Sequence, residues 1–181
     1  MQNPVVYAKC ALSHIGLKIR YGSSLKMGWI QSFEHLRLKI ARGGSVDMGS
    51  YNQNRERLYI GVLPGAHLSV GSHCFFNINS SITCCESITI GDNCKFGNNL
   101  VIVDHDHNFR KKEDQNGNIP EFVSSPVKIG NNVWVGANVT ILRGTEIGDD
   151  CVIGAGTVVK GIIPPGSMVR GTVSDISELT E

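Results

Sequence analysis

The chain has 181 residues, a length that suits one domain with a core of its own, and a formal net charge of +1. The only compact basic group, Arg110-Lys111-Lys112, is followed at once by Glu113 and Asp114, which argues against a nucleic-acid-binding surface. Charged residues make up 18% of the chain and there are 21 glycines, which favours a turn-rich β protein over a helical bundle.

In chain order, Met1-Gln2-Asn3-Pro4 lacks the basic start and apolar run of a signal peptide. No apolar run reaches the roughly 18 residues of a membrane span. The stretches Gly16 to Trp29 and Leu36 to Gly49 alternate like strands, and no long amphipathic helix is expected before residue 60. Residues 12–66 are read as irregular coils of a repeat that becomes regular over 68–163. One domain, 1–181, is expected.

The repeat is written in pairs of an apolar residue and Gly: Val70-Gly71, Ile90-Gly91, Phe96-Gly97, Ile129-Gly130, Val135-Gly136, Ile147-Gly148 and Ile153-Gly154. From Ile129 the frame steps by six through Val135, Ile141, Ile147 and Ile153 to Val159. Neither the 3.6 period of a helix nor the period of 2 of a half-buried strand gives that spacing. Six residues make one short strand and one tight turn, and three such hexads make a triangular coil of 18 residues, so Ile129 to Ile147 is one coil. The fold class predicted is all-β, a parallel β-helix with one extended loop.

The same register locates an interruption. Ile90 to Ile129 is 39 residues, one coil of 18 plus 21 more, so an insertion is expected at about 108–128. It springs from the corner that carries Asp104, His105, Asp106 and His107. Long loops in compact repeats are usually functional or disordered. Further on, Pro164-Pro165-Gly166 should close the β-helix, leaving a tail, 164–181, whose last residues, 174–181, could add a short helical turn.

Six cysteines, Cys10, Cys74, Cys84, Cys85, Cys94 and Cys151, show no CxxC pair and no zinc-type spacing. They read as small buried hydrophobes, which points to a reducing, cytoplasmic setting. No metal site is expected.

The run Ile129 to Pro165 resembles the hexapeptide-repeat acyltransferases, and is closest in type to the galactoside, maltose and nodulation-factor O-acetyltransferases and their surface-polysaccharide relatives. Asn132-Val133-Trp134-Val135-Gly136 and Ile153-Gly154-Ala155-Gly156-Thr157-Val158-Val159, then the paired prolines, carry the likeness, which covers about residues 70–166. The resemblance implies a left-handed β-helix, a homotrimer with active sites between subunits, acetyl-CoA as donor and a saccharide or other small molecule as acceptor. It also implies a histidine base. Counting from Asn93, the family's distance falls on His107, with His105 as the second candidate and Asp104 or Asp106 as a partner that orients the imidazole. Neutral histidine suits the task, because its pKa lies near working pH.

By the same resemblance Asn77, thirty residues before His107, positions acceptor or thioester; the plainer reading is a turn asparagine, as for Asn79. Trp134 lines the CoA channel or packs at a subunit interface. Ala137 and Ala155, 18 residues apart and so stacked, approach the pantetheine arm, with Gly136 and Gly156 beside them. Lys160 meets a CoA phosphate or is a solvated surface lysine. The chain departs from the family after the prolines: "VRGTVSDISELTE" lacks the next proline and is acidic, which puts the usual hold on CoA's phosphates in question.

Other readings stay open. A γ-type carbonic anhydrase shares the β-helix but needs three zinc-binding histidines, and Ile129–Val159 has none. A non-catalytic scaffold or sugar-binding module is a further alternative. A serine acetyltransferase would carry a long helical N-terminal domain for which this chain has no room.

Overall fold

The computed structural model describes residues 4–171, with side chains described from residue 10. The helical turn expected over 174–181 lies outside the described residues. The chain winds as a left-handed parallel β-helix of three sheets. The first sheet stacks Leu25–Met27, Ser45–Met48, His67–Val70, Ser87–Ile90, Val127–Ile129, Glu146–Ile147 and Ile162–Ile163. The second contains Phe75–Phe76, Lys95–Phe96, Trp134–Val135, Val152–Ile153 and Met168–Val169, and the third Leu36–Ile40, Leu58–Val62, Ser80–Cys84, Val101–Val103, Thr140–Ile141 and Val158–Val159. Three edges result: one between the first and second sheets, one between the second and third, and one between the third and first.

The register is the one the hexads imply. Ile129 pairs with Ile147, and Ile90 pairs with Ile129 across the insertion. Ile129, Val135, Ile141, Ile147, Ile153 and Val159 are all buried, stacked inward rung on rung. Earlier coils are wider because their strands in the first and third sheets run to four or five residues, against two in the last regular coil. Several corners are turned by residues in the left-handed region, among them Asn79, Asn93, Asn99, Asn132 and Asn138, where asparagine is among the best tolerated non-glycine residues. At the edge between the second and third sheets, Asn79 donates to Asn99 at 2.9 Å and Asn99 to Asn138 at 2.8 Å, an amide ladder that ties three coils together.

Three expectations are corrected. First, residues Pro4–Tyr21 form an α-helix, α1, where the alternation of residues 16–21 had suggested strands; only Leu25–Met27 of that stretch is a strand. The pattern misled because α1 is weakly amphipathic: Leu12, Ile15 and Ile19 are exposed. The helix is held by tertiary contacts instead. Cys10 is buried and its thiol donates to the Phe33 carbonyl, and the Tyr21 hydroxyl donates to the Leu38 carbonyl at 2.8 Å. It covers the first coil, as a terminal cap does in a solenoid.

Second, the paired prolines do not end the ladder. Pro164 and Pro165 sit at a corner, where no strand N–H is required, and Met168–Val169 still pairs with Val152–Ile153 beyond them. Third, the insertion begins and ends earlier than 108–128. The chain leaves the coil at Asp104 and is back by Val127, whose side chain is buried.

Five of the six cysteines are buried and all are free. Cys74, Cys94 and Cys151 each donate a thiol hydrogen bond to a corner carbonyl, those of Gly91, Gly130 and Pro164. They are small core residues with a use for their weak donor.

His14 on α1 makes this cap sensitive to acid. Its ring meets Phe33 edge-on, its Nε2 is buried without a partner, and burial, then the charge of Lys18, pushes its pKa below the ordinary value of about 6.5. The folded state therefore binds the proton less readily than the unfolded chain. Stability is full above about pH 6.5 and is lost as pH falls through the lowered folded value. The protection of α1 amides, taken relative to the intrinsic exchange rate at each pH, is expected to fall between about pH 7.5 and 5.5 in the wild type and to fall less in His14→Leu; identical protection profiles would refute this.

Candidate active site

The insertion is a hairpin. Its base pairs His105–His107 antiparallel with Phe122–Ser124. Asp104 anchors it. That carboxylate is fully buried and accepts the backbone N–H groups of Cys85 at 2.7 Å and of Glu86 and Ser87 at 2.8 Å each. Its own carbonyl accepts the Ser125 N–H at 2.8 Å, closing the hairpin neck. Farther out, Asn108 clamps the loop: its amide donates to the carbonyls of Lys112 and Pro120, and its oxygen accepts the Lys112 N–H. At the tip, the N–H groups of Asn118 and Asn116 hold the Asp114 carboxyl below the usual carboxylate range.

The two histidines differ sharply. His105 is tied to Asp104 by its Nδ1 at 3.1 Å, leaves 13% of its side chain exposed and packs edge-on against Phe122. His107 is exposed and lies tilted against the same Phe122 ring at 4.9 Å. Neither aspartate orients His107: Asp104 is committed to the coil and to His105, and Asp106 accepts from Arg143 Nε. The aromatic ring sets its position instead.

His107 opens into a cleft of about 310 Å³ between the hairpin and the later coils, lined also by Asp106, Arg110, Lys112, Arg143 and Lys160. Arg143 and Lys160 come from the edge between the third and first sheets, on successive coils. Lys160, read from the sequence as a surface lysine or a CoA phosphate ligand, thus shares a cleft with His107. Arg143 and Phe122 were missed. Arg143 had a signal, since it stands 17 residues before Lys160 and so at the same corner; Phe122 had none, because hairpin pairing follows no hexad.

The remaining sequence candidates lie elsewhere on the chain. Asn77 is at the edge between the second and third sheets, and its Oδ1 accepts the N–H of Ile78 at 3.0 Å, the geometry of a turn asparagine. Ala137, Ala155 and Gly156 turn the same edge. The Ala137 and Ala155 amides donate to no backbone carbonyl among the described residues. Gly136 is explained without a ligand, because a Cβ there would stand 2.6 Å from the Ala155 amide nitrogen of the next coil. Gly156 has open space around it and is required by its φ of 73°. Trp134 projects outward from the second sheet, 58% exposed, above a shallow cleft with His73, Asn93 and Lys95. One face of the prism separates this group from His107. A five-residue strand such as Ser80–Cys84 spans roughly 15 Å at 3.3 Å per residue.

The three-histidine metal reading is not assembled. His67 contacts Ser45 at 2.9 Å and His73 stacks on Tyr51, and no group of three or more candidate ligands occurs among the described residues. Nor does a thiol nucleophile stand beside His105. Burial, then the charge of Asp104, pushes the Cys84 and Cys85 thiols above the ordinary range. No helix among the described residues is long and apolar enough to cross a membrane.

Residues 126–161 match the bacterial transferase hexapeptide family (six repeats), and residues 67–103 match the hexapeptide repeat of succinyl-transferase. The chain is 37% identical to the galactoside O-acetyltransferase of Escherichia coli K12 over 107 residues, 59% of this chain and 51% of that one. It is 29% identical to the hexapeptide-repeat acetyltransferase VCA0836 of Vibrio cholerae O1 biovar eltor, solved with acetyl coenzyme A, with a TM-score of 0.51 over 62% of this chain and 60% of that one. AntD, an N-acyltransferase from Bacillus cereus, shares the fold over 92% of this chain and 86% of its own, with a TM-score of 0.69 at 16% identity. The chain spans about half the length of the curated relatives it matches. The hexad register, the two matched segments and these relatives agree: the regular part of the chain is a hexapeptide repeat similar to that of the bacterial hexapeptide-repeat acyltransferases.

Proposed function

We propose that the protein is an acetyl-CoA-dependent O-acetyltransferase that acts on a saccharide hydroxyl, with His107 as general base. The observation that carries this reading is His107 itself, exposed in a cleft at the neck of the insertion and steadied by Phe122, on a repeat shared with sugar acetyltransferases. The imidazole takes the acceptor's hydroxyl proton as that oxygen bonds to the thioester carbon. The tetrahedral oxyanion then collapses, the carbon–sulfur bond breaks, and the thiolate of CoA takes the proton back from the imidazolium. Fixed N–H donors must hold the oxyanion meanwhile, and the Ala137 and Ala155 amides are suited to that or to the pantetheine arm.

The split of candidates between two edges of the prism supports an assembly of chains. His107 and Lys160 lie at one edge; Asn77, Trp134, Ala137, Ala155 and Gly156 lie at or beyond the next. A site that uses both sets draws them from two neighbouring copies, which fits a homotrimer with three shared clefts. A cytoplasmic setting accords with the free cysteines, and polysaccharide precursors are one class of saccharide for such an enzyme to modify. The acidic C-terminal tail leaves the hold on CoA's phosphates to residues other than the usual basic tail.

Acetyl-CoA in excess is expected to raise thermal stability, by about 2.7 kcal/mol at 100 times its dissociation constant. A thermal scan with and without the ligand measures this. No shift at millimolar acetyl-CoA would remove the reading and leave the scaffold or sugar-binding module.

A further inference from the structure

The His107 cleft has a charge that acetyl transfer to a neutral sugar does not require. It brings together four cations, Arg110, Lys112, Arg143 and Lys160, against one carboxylate, Asp106, in a chain whose whole formal charge is +1. Asp106 engages only the Nε of Arg143, and a guanidinium has further N–H donors in a planar fork. Arg110 and Lys112 are not on a loose arm, because the Asn108 side chain fastens the turn between them to the hairpin base. The loop's acidic residues do not all offset this: the Asp114 carboxylate is spent on its own turn at the tip.

A preset group of arginines and lysines in a small cleft suits a phosphate. Two molecules in the reaction could bring one, the acyl donor and the acceptor. Geometry separates them. The thioester that His107 serves and the adenosine phosphates of CoA stand at opposite ends of the pantetheine arm. The cleft of about 310 Å³ that contains His107 is the place for the reacting end, which sets the far end of the arm apart from it. Resting on the transferase reading of this site, we propose that the acceptor is an anionic saccharide, with a phosphate near the hydroxyl that is acylated, and that Arg110, Lys112 and Arg143 hold that phosphate.

The test is calorimetric titration of inorganic pyrophosphate, glucose 1-phosphate and glucose into the full chain, free and saturated with CoA, for the wild type, Arg143→Gln and Arg110→Gln/Lys112→Gln. Pyrophosphate and glucose 1-phosphate are expected to bind the CoA-saturated protein at least tenfold more tightly than glucose. Each variant should weaken both by roughly 10- to 100-fold, the range for lost charged hydrogen bonds, with CoA affinity unchanged. Glucose binding as well as its phosphate would overturn the proposal. So would exclusion of pyrophosphate by CoA, or loss of CoA affinity in the variants, since the cations would then serve the donor. If the wild type does not bind acetyl-CoA, the transferase reading falls and this one with it; binding of acetyl-CoA without preference for phosphate overturns this one alone.

Discussion

Replacing His107 by Ala is expected to lower acetyl transfer by about 10²- to 10⁴-fold, the range for loss of a positioned general base. The side chain is exposed and its only described ring contact is with Phe122, so the fold should survive the change, and stabilisation by acetyl-CoA should persist. His105→Ala is the informative partner. That ring is tied to Asp104 and packed on Phe122, so its loss should loosen the hairpin neck and cost less than tenfold in turnover. Thiol release from acetyl-CoA over a panel of sugars and sugar phosphates reads both. An inactive His105 variant beside an active His107 variant would reverse the assignment.

Asp104→Ala is expected to destabilise the protein by about 3–5 kcal/mol. The carboxylate is fully buried and satisfies three backbone N–H groups at the corner Cys85-Glu86-Ser87. Without it those donors are stranded, at about 1–3 kcal/mol for each buried group that finds no other partner. A small side chain also leaves a void that water reaches only by opening the corner. Asp104→Asn keeps the volume but turns an amide N–H toward backbone N–H groups, so it should rescue only part of the loss. Urea unfolding measures both variants. A loss under 1 kcal/mol in the alanine variant would show that the corner does not depend on this residue.

These two residues show how differently the site could be read. His107 was singled out through a resemblance, because the family's distance from a recognisable corner falls on it. Asp104 was considered only as a partner for a histidine, yet its main work is to hold a turn of the preceding coil. That role depends on residues 17–19 positions earlier folding back against it, and nothing local signals it. Gly136 was read as making room for a ligand, whereas the amide of Ala155 occupies the space. Asn77 was offered as a site residue or a turn asparagine and Asn79 as a turn asparagine; Asn77 accepts the Ile78 N–H and Asn79 turns its corner at a positive φ.

The sequence by itself determined the regular part of the fold. A six-residue step can bury one apolar side chain per strand only if three strands close a coil, so composition and spacing alone specify the parallel stack, its register and the existence of the insertion. Tertiary structure decided the rest. The helix Pro4–Tyr21 forms because the open first coil needs a cover, and a cover is selected by what it packs against rather than by its own pattern. The antiparallel hairpin, the separation of His107 from Asn77 and Trp134, and the meeting of Arg110, Lys112, Arg143 and Lys160 are likewise products of the winding. Residues up to fifty positions apart become neighbours when coils stack, and charge in a cleft is a property of that neighbourhood, not of any one segment.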